Sequence, residues 1–210
     1  MPVSSSERRV LLRLLLVIAV AVGWVRAATA SEITAPVEQL HAGLISIMKA
    51  GKTVSFRQRY EAIAPVIGRT FDLETILRQV IGPRWASLPA DQQAALADAF
   101  RRYTVASYVA NFDSYSGQRF DTAPVVRAVG NDRVVETRIA SPGGRVHALD
   151  YVMRQEAGGW KVVDVLAEGS ISRVASQRSE MRSLLADGGG SGLLVSLRQK
   201  TAELSGGNLQ

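Results

Sequence analysis

Apolar side chains recur every three to four positions between residues 34 and 112, which is the spacing of helices with one buried face. Thr34, Ser55 and Asp72 precede successive apolar stripes, and their side-chain oxygens can accept hydrogen bonds from the first backbone N–H groups of a helix. Glycine or proline ends the first three stripes, and Pro89 opens the fourth. The predicted helices therefore lie at about 34–51, 55–65, 72–82 and 89–112.

After residue 124 the apolar period changes to two, which is typical of strands. Glycine-rich turns of a few residues separate four such runs, and turns this short join only antiparallel neighbours. The chain then returns to a helical period with Ser170 or Ser172 as the cap, and the glycines at 188–190 divide this region into two helices. The predicted strands are 125–129, 133–140, 146–155 and 160–167.

The order of these elements predicts an α+β fold, in which a curved, four-stranded antiparallel meander packs with helices from both the N-terminal and the C-terminal segments. The third strand is apolar on both faces, with Leu149 and Tyr151 on one side and Ala148 and Val152 on the other. A sheet with one solvated face would alternate with polar residues. Either one face packs on helices while the other lines an apolar cavity, or two helix layers enclose the sheet.

The first 30 residues differ from the rest of the chain and predict an export signal. Two arginines precede an apolar run of about 16 residues, and Ala-Thr-Ala at 28–30 offers the small side chains that a signal peptidase reads. We expect cleavage between Ala30 and Ser31, which leaves 31–210 as one domain in the periplasm. An uncleaved membrane anchor is the alternative, but the run is short for a span of roughly 20 residues. The arginine pair leaves the export route open.

Composition narrows the class of protein further. The chain holds no cysteine, so disulfides, thiol catalysis and cysteine metal sites are excluded. Its net charge is +6, but the first 30 residues carry four arginines and one glutamate, so removing them leaves +3. The remaining basic residues are dispersed among acidic ones, whereas nucleic-acid binding requires a basic cluster. We therefore do not expect nucleic acid as a partner.

Few side chains are candidates for catalysis. His41 lies beside an apolar helical stripe and His147 lies on a strand, and neither belongs to a metal-binding or acid–base motif. Asp150 and Asp164 lie on neighbouring strands, where they could form an acid–base pair or accept structural hydrogen bonds. The structural interpretation is favoured because no further catalytic group accompanies them. We therefore predict no catalytic residue, no metal and no cofactor.

Two further motifs have both a functional and a structural explanation. The glycine-rich sequence at 187–192 could hold a phosphate at a helix N-terminus, but it lacks a preceding strand and a following lysine. The end of one helix and the start of the next explain it fully. Arg101 and Arg102 could contact anionic headgroups or a partner protein, and a solvated helix face is the favoured alternative.

Three sequence elements together resemble a known family. They are Gly82 with Trp85, the strand GGWKVVDV at 158–165 and the sequence EGSIS at 168–172, and they are specific only in combination. The chain resembles the toluene-tolerance, or MlaC, family of periplasmic lipid-binding proteins over about 36–204. Its N-terminal part is most similar to the HpnM subgroup of this family, which is associated with hopanoids.

This resemblance implies a carrier without catalytic activity that holds an amphiphilic lipid in a pocket between the sheet and the helices. The HpnM subgroup implies a hopanoid cargo and an RND-type inner-membrane exporter as partner. The wider family implies a phospholipid cargo and an ABC transporter, with an outer-membrane complex as a further partner. An enzyme that uses Asp150 or Asp164 and an adaptor with a filled core are the alternatives. The expected pocket residues are Ile76, Val80, Trp85, Phe100, Tyr103, Tyr108, Phe112, Leu149, Tyr151 and Met153.

Overall fold

A computed structural model describes residues 29–209, so the predicted export signal lies outside the described residues except for its last two positions. None of the helices in this range has both the length and the apolar character that a membrane span requires. The helices are α1 (Ala30–Ala50), α2 (Phe56–Thr70), α3 (Leu73–Ile81), α4 (Ala90–Asn111) and α5 (Arg173–Leu204). The strands are β1 (Arg119–Val129), β2 (Asp132–Ala140), β3 (Val146–Glu156), β4 (Gly159–Ala167) and β5 (Ile171–Ser172).

Several helix ends lie where the sequence predicts them. The hydroxyl of Ser55 accepts the N–H of Gln58, whose side chain accepts the N–H of Ser55 in return, and this capping box confirms the start of α2. Asp72 caps α3 through a backbone N–H of its first turn, as predicted. Gly51 and Gly82, with φ angles of 52° and 70°, end α1 and α3.

The predicted start of α1 is wrong. The helix begins at Ala30 rather than at Thr34, because Thr29 and Glu32 form a capping box that satisfies two backbone N–H groups further upstream. Thr34 lies inside the helix and is buried, and its hydroxyl donates to the carbonyl of Ser31. Thr34 has a side chain that can cap a helix, but here it lies within the helix.

The predicted end of α2 is also wrong, because the helix continues through Pro65 to Thr70. Proline cannot donate the backbone hydrogen bond that a helix interior requires. Ile63 and Ile67 on either side of it are buried in the core, and this packing offsets the missing bond.

The last helix, α5, begins and bends as the sequence predicts. The hydroxyl of Ser172 accepts the N–H of Ala175 and caps the helix. Gly189 has φ 57° and ψ −149°, which lie outside the helical range, so α5 is kinked within the predicted 188–190 break.

The sheet is antiparallel throughout, with its strands in the order β1-β2-β3-β4-β5. The prediction of four strands is wrong by one, because Ile171 and Ser172 add a short fifth strand beside β4. The first strand also starts at Arg119 rather than at 125. The register of β1 with β2 shifts between Thr122 and Val126. This irregular segment interrupts the apolar alternation, so the sequence pattern predicted only the second half of β1.

The helices pack on one face of the sheet, and the other face is only partly exposed. Val135 and its cross-strand partner Tyr151 are buried on the helix side, whereas Glu136 and Arg138 on the opposite side are exposed. On the face of the third strand opposite Tyr151, Asp150 is buried and Ala148 and Val152 are half-buried, whereas Val146 at the strand end is 53% exposed. Among residues 29–209, the main hydrophobic core lies on the face that carries Val135 and Tyr151.

Candidate functional site

A cavity of about 450 Å³ lies between the sheet and the helices. The largest part of its lining comes from α4, and β3, β4, the start of α3 and the start of α5 provide most of the rest. The volume falls within the roughly 300–1,000 Å³ that small-molecule pockets occupy. This volume counts against the filled core that the adaptor hypothesis requires.

The α4 lining follows from helical periodicity, because its members are separated by one, three or four positions. The eleven steps from Phe100 to Asn111 give a wall about 16.5 Å long at 1.5 Å per residue. The Ser107 hydroxyl donates to the carbonyl of Tyr103, whereas the Thr104 hydroxyl is buried and has no partner among the described groups. The α4 lining residues are Phe100, Tyr103, Thr104, Ser107, Tyr108 and Asn111, and Phe112 follows directly after the helix.

Seven of the ten residues expected in a pocket line this cavity, and the structure places three elsewhere. Val80 lies one turn beyond Ile76, and Met153 lies two positions beyond Tyr151, so both continue an apolar face past the cavity into the core. Trp85 is half-buried on the 3₁₀ turn that follows α3. Contact of the lining with a lipid stays a prediction. The seven are Ile76, Phe100, Tyr103, Tyr108, Phe112, Leu149 and Tyr151.

The sequence prediction missed the lining residues that lie outside long periodic segments. Phe71 joins α2 to α3 and reaches the cavity because a parallel bridge fixes it beside Val162. Arg173, Val174 and Gln177 follow the predicted cap and share one side of α5, so helical spacing could have identified them. Their role depends on how α5 leaves the sheet, which the sequence alone does not specify.

The cavity changes from apolar to polar between its interior and its opening. Phe100 and Tyr151 in the interior are 1% and 2% exposed. By contrast, Asn111 and Arg173 are lining residues that are exposed to solvent. A ligand with an apolar body and a polar end would match this arrangement.

Aromatic rings continue from the cavity wall into the core. The Tyr108 ring lies 5.7 Å from that of Phe71, and the imidazole of His41 stacks on Phe120 at 4.1 Å between centroids. The Nε2 atom of His41 lies 3.3 Å from the hydroxyl of Tyr151. Burial lowers the pKa of His41 to about 4 and raises the pKa values of Tyr108 and Tyr151. These groups are therefore neutral near pH 7, and His41 has a packing role.

Asp164 has a structural role at the start of α5. Its carboxylate accepts the hydroxyl of Ser172 and the backbone N–H groups of Val165 and Val174, at 2.7 and 3.1 Å for the two N–H groups. Two of these donors belong to the first turn of α5 and its cap. The carboxylate therefore fixes the helix against β4.

Asp150 is not part of the cavity lining. It pairs with Leu166 across the strands, whereas Asp164 pairs with Val152, so the two carboxylates are offset. Burial raises the pKa of Asp150, and its nearest donor is the N–H of Thr137 at 3.4 Å. The geometry thus favours the structural interpretation of both carboxylates over an acid–base pair.

The remaining candidates lie apart from the cavity. Arg101 and Arg102 both form ion pairs with Asp98 on an exposed face of α4. His147 pairs with Glu168 on the surface, 2.8 Å apart. In the part of the chain that the structure describes, no group of three or more His, Asp or Glu side chains could hold a metal ion.

These features define a class: an α+β fold with an amphipathic cavity between a helix layer and an antiparallel sheet. The model of the MlaC protein family matches residues 38–199, so the chain belongs to this family. This confirms the family predicted from the sequence.

The fold is also similar to that of a phospholipid-binding protein from Ralstonia solanacearum, whose structure was solved in complex with a phospholipid. The two chains are 20% identical, and the match has a TM-score of 0.71 and covers 85% of this chain and 99% of the Ralstonia chain. At this identity the similarity shows a shared fold. No curated protein sequence matches the chain significantly.

Proposed function

We propose that the protein is a periplasmic carrier that encloses the apolar part of one amphiphilic lipid and moves it between membrane-bound complexes. The observation that carries this proposal is the change in polarity along the cavity, from Phe100 in its interior to Asn111 and Arg173 at its opening. Membership of the MlaC family and the phospholipid bound to the Ralstonia protein support lipid as the class of ligand.

The cavity volume is large enough to change the energetics of lipid transfer. It is about fifteen times the roughly 30 Å³ that a water-sized group occupies in a liquid, so it holds roughly fifteen methylene groups. Exposure of a methylene group to water costs about 0.8 kcal/mol. Enclosing fifteen of them removes about 12 kcal/mol of the cost of crossing an aqueous space.

The proposed carrier performs no chemical step. The oxygens of Asp164 are occupied by the start of α5, and Asp150 lies outside the cavity lining. His41 is buried and neutral near pH 7. Binding and release of cargo then depend on how the cavity walls pack.

Two cargo classes follow from the proposal, each with its own membrane partner. The phospholipid in the Ralstonia complex supports a phospholipid cargo and an ABC transporter. The hopanoid cargo and the RND-type exporter depend on the similarity of the N-terminal part to HpnM. Native mass spectrometry of protein purified from its own host distinguishes them, because the two lipids differ in mass.

The periplasmic location is a separate part of the proposal and has its own test. We expect the secreted protein to begin at Ser31 and to appear in the periplasmic fraction of the cell. Intact-mass measurement of that fraction checks both statements. Retention of residues 1–30 in the membrane fraction would favour the anchored alternative.

The carrier function is tested by filling the cavity from two walls. Ala167→Phe on β4 and Ser107→Phe on α4 each place a ring in the lining, so bound lipid should fall by at least about tenfold. Ala186→Phe adds the same ring at an exposed position of α5 and should retain lipid. Circular dichroism establishes that each variant is folded. Full lipid content in both folded cavity variants would refute a carrier that uses this cavity.

A further inference from the structure

A second concavity of the fold, which we call the outer groove, has a volume of about 660 Å³. It lies between α4 and the C-terminal half of α5, and it shares no lining residue with the cavity between the sheet and the helices. A smaller concavity of about 240 Å³ adjoins the outer groove, because Arg102 and Leu209 line both. The proposed carrier function uses neither of them.

The outer groove and the cavity lie on opposite faces of α4. The α4 residues of the groove are Ala95, Asp98, Ala99 and Arg102. Nine positions after each of them, in the same order, the helix carries the cavity residues Thr104, Ser107, Tyr108 and Asn111. Nine residues make about two and a half helical turns, so the two members of each pair point in opposite directions. A partner in the outer groove therefore leaves the cavity unobstructed.

Small side chains form the floor of the outer groove. Ala99 is buried, and Ala95 on α4 and Ala202 on α5 are half-buried. Small residues allow another helix to approach closely, because the distance between two helix axes depends on the side chains at the contact. Val195 on α5 is 64% exposed and adds an apolar side chain at the edge. The groove therefore has the surface on which a third helix can pack.

Arginines outnumber acidic residues around this floor. The two concavities carry the arginines Arg57, Arg101, Arg102 and Arg198 and the carboxylates Glu61 and Asp98. Asp98 is shared by Arg101 and Arg102, so its single charge does not balance both. Within residues 29–209, Arg198 forms no hydrogen bond or ion pair with another described group. The excess of two positive charges favours an acidic occupant.

Two other kinds of occupant fit the outer groove less well. In a symmetric contact between two copies of this chain, the same arginines would face each other and repel. A membrane surface is flat on this scale, so it would reach the exposed arginines but not the alanines between them. A helix with acidic flanks contacts both.

We propose that the outer groove docks an amphipathic helix of a partner protein, whose small or apolar face packs on the alanines and whose acidic residues pair with Arg102 and Arg198. The seven steps from Ala95 to Arg102 extend over about 10.5 Å, which corresponds to about two turns of the docked helix. This inference goes beyond the proposed carrier function and does not depend on the cargo. Because the groove and the cavity lie on opposite faces of α4, partner and cargo bind at the same time.

Fluorescence anisotropy with designed peptides tests the docking site. The probe is a labelled helical peptide of about 18 residues, with alanines on one face and glutamates on both flanks. In the comparison peptide, lysines replace the glutamates. The glutamate peptide should bind at least about tenfold tighter, and added salt should weaken its binding. Equal binding of the two peptides, or no binding of either, would overturn the proposal.

Two matched pairs of variants locate the bound peptide. Ala95→Trp fills the floor and should weaken binding about tenfold, whereas Ala94→Trp adds the same ring at the exposed neighbouring position and should not. Arg198→Glu reverses an exposed charge of the groove and should also weaken binding about tenfold, whereas Arg182→Glu, elsewhere on α5, should not. Equal affinities within both pairs of folded variants would place the peptide elsewhere and overturn the proposal.

Lipid content separates this inference from the carrier function. Native mass spectrometry should find the same bound lipid in Arg198→Glu as in the wild type, because Arg198 does not line the cavity. Loss of lipid from Arg198→Glu alone would contradict a groove that is separate from the cavity. A lack of lipid in every protein, wild type included, would refute the carrier function and leave the peptide measurements as the test of docking.

Photo-crosslinking in the host identifies the natural occupant. A benzophenone side chain in place of Val195 should form a cross-link to an acidic helical segment of another protein, and mass spectrometry of the joined peptides identifies that segment. A cross-link to a second copy of this chain or to a lipid would overturn the proposed occupant. The absence of any cross-link at this position would count against docking in the cell.

Discussion

Asp164 offers the sharpest test of whether the strand carboxylates are structural or catalytic. Its Oδ1 accepts the N–H groups of Val165 and Val174, and its Oδ2 accepts the hydroxyl of Ser172. Asp164→Asn keeps the shape and one acceptor oxygen. It removes the second acceptor and the negative charge at the start of α5.

The expected loss of stability follows from these contacts. The hydrogen bond to Ser172 contributes about 1 kcal/mol, and a negative charge at a helix N-terminus contributes about 0.3–1 kcal/mol. The variant should therefore lose about 1.3–2 kcal/mol in total. For a protein of this size, that loss lowers the melting temperature by about 3–8 °C.

Thermal unfolding followed by circular dichroism measures this loss, and native mass spectrometry measures lipid content below the transition. Asp150→Asn is the control. Because burial raises the pKa of Asp150, its charged form is disfavoured in the fold, so the neutral amide should cost little at pH 7 or stabilise slightly. An unchanged melting temperature for Asp164→Asn would refute the capping role. Loss of a turnover activity with lipid binding intact would favour the enzyme.

Three further measurements test the interior of the fold. Burial lowers the pKa of His41 from 6.5 to about 4, so the unfolded chain takes up a proton below pH 6.5 that the folded protein takes up only near pH 4. In urea unfolding, the free energy of unfolding of the wild type should therefore fall by about 3 kcal/mol as the pH is lowered through this interval, whereas that of His41→Phe should not. Parallel pH profiles for the two proteins would contradict this expectation. Gly189→Ala should lose about 1–3 kcal/mol, because φ 57° with ψ −149° suits only glycine, whereas Gly188→Ala has open space and should be neutral or stabilising. Equal melting temperatures for the two variants would count against the kink. Finally, the affinity for single-chain phospholipids should increase up to about fourfold with each added methylene group and should stop increasing near fifteen carbons. An affinity that continues to increase well beyond this chain length would mean that the cavity is longer than described.

Local chemistry made much of the fold predictable from the sequence. Ser55 and Asp72 cap helices because their side chains reach N–H groups two or three residues away, and Gly82 ends α3 because glycine tolerates its φ angle. The continuation of α2 beyond Pro65 could not be predicted in this way. It depends on buried contacts with other elements, which single-sequence rules do not contain.

The same limit applies to the cavity. The stripe on α4 and the alternation on β3 identify residues that face inward, but they do not separate cavity wall from core. Val80 and Ile76 share one face of α3, yet only Ile76 lines the cavity, because the position of the wall depends on how the helices meet the sheet. Phe71 belongs to no regular element, so no period marks it.

Apolar contact dominates the interior of the cavity. Two of its three interior hydroxyl groups have partners: Ser107 donates to Tyr103, and the hydroxyl of Tyr151 lies beside His41, whereas that of Thr104 has none among the described groups. Affinity in the interior then comes from apolar burial, which has no preferred direction and lets a chain slide in or out without breaking specific bonds. Fixed polar contacts at depth would hold the cargo against release.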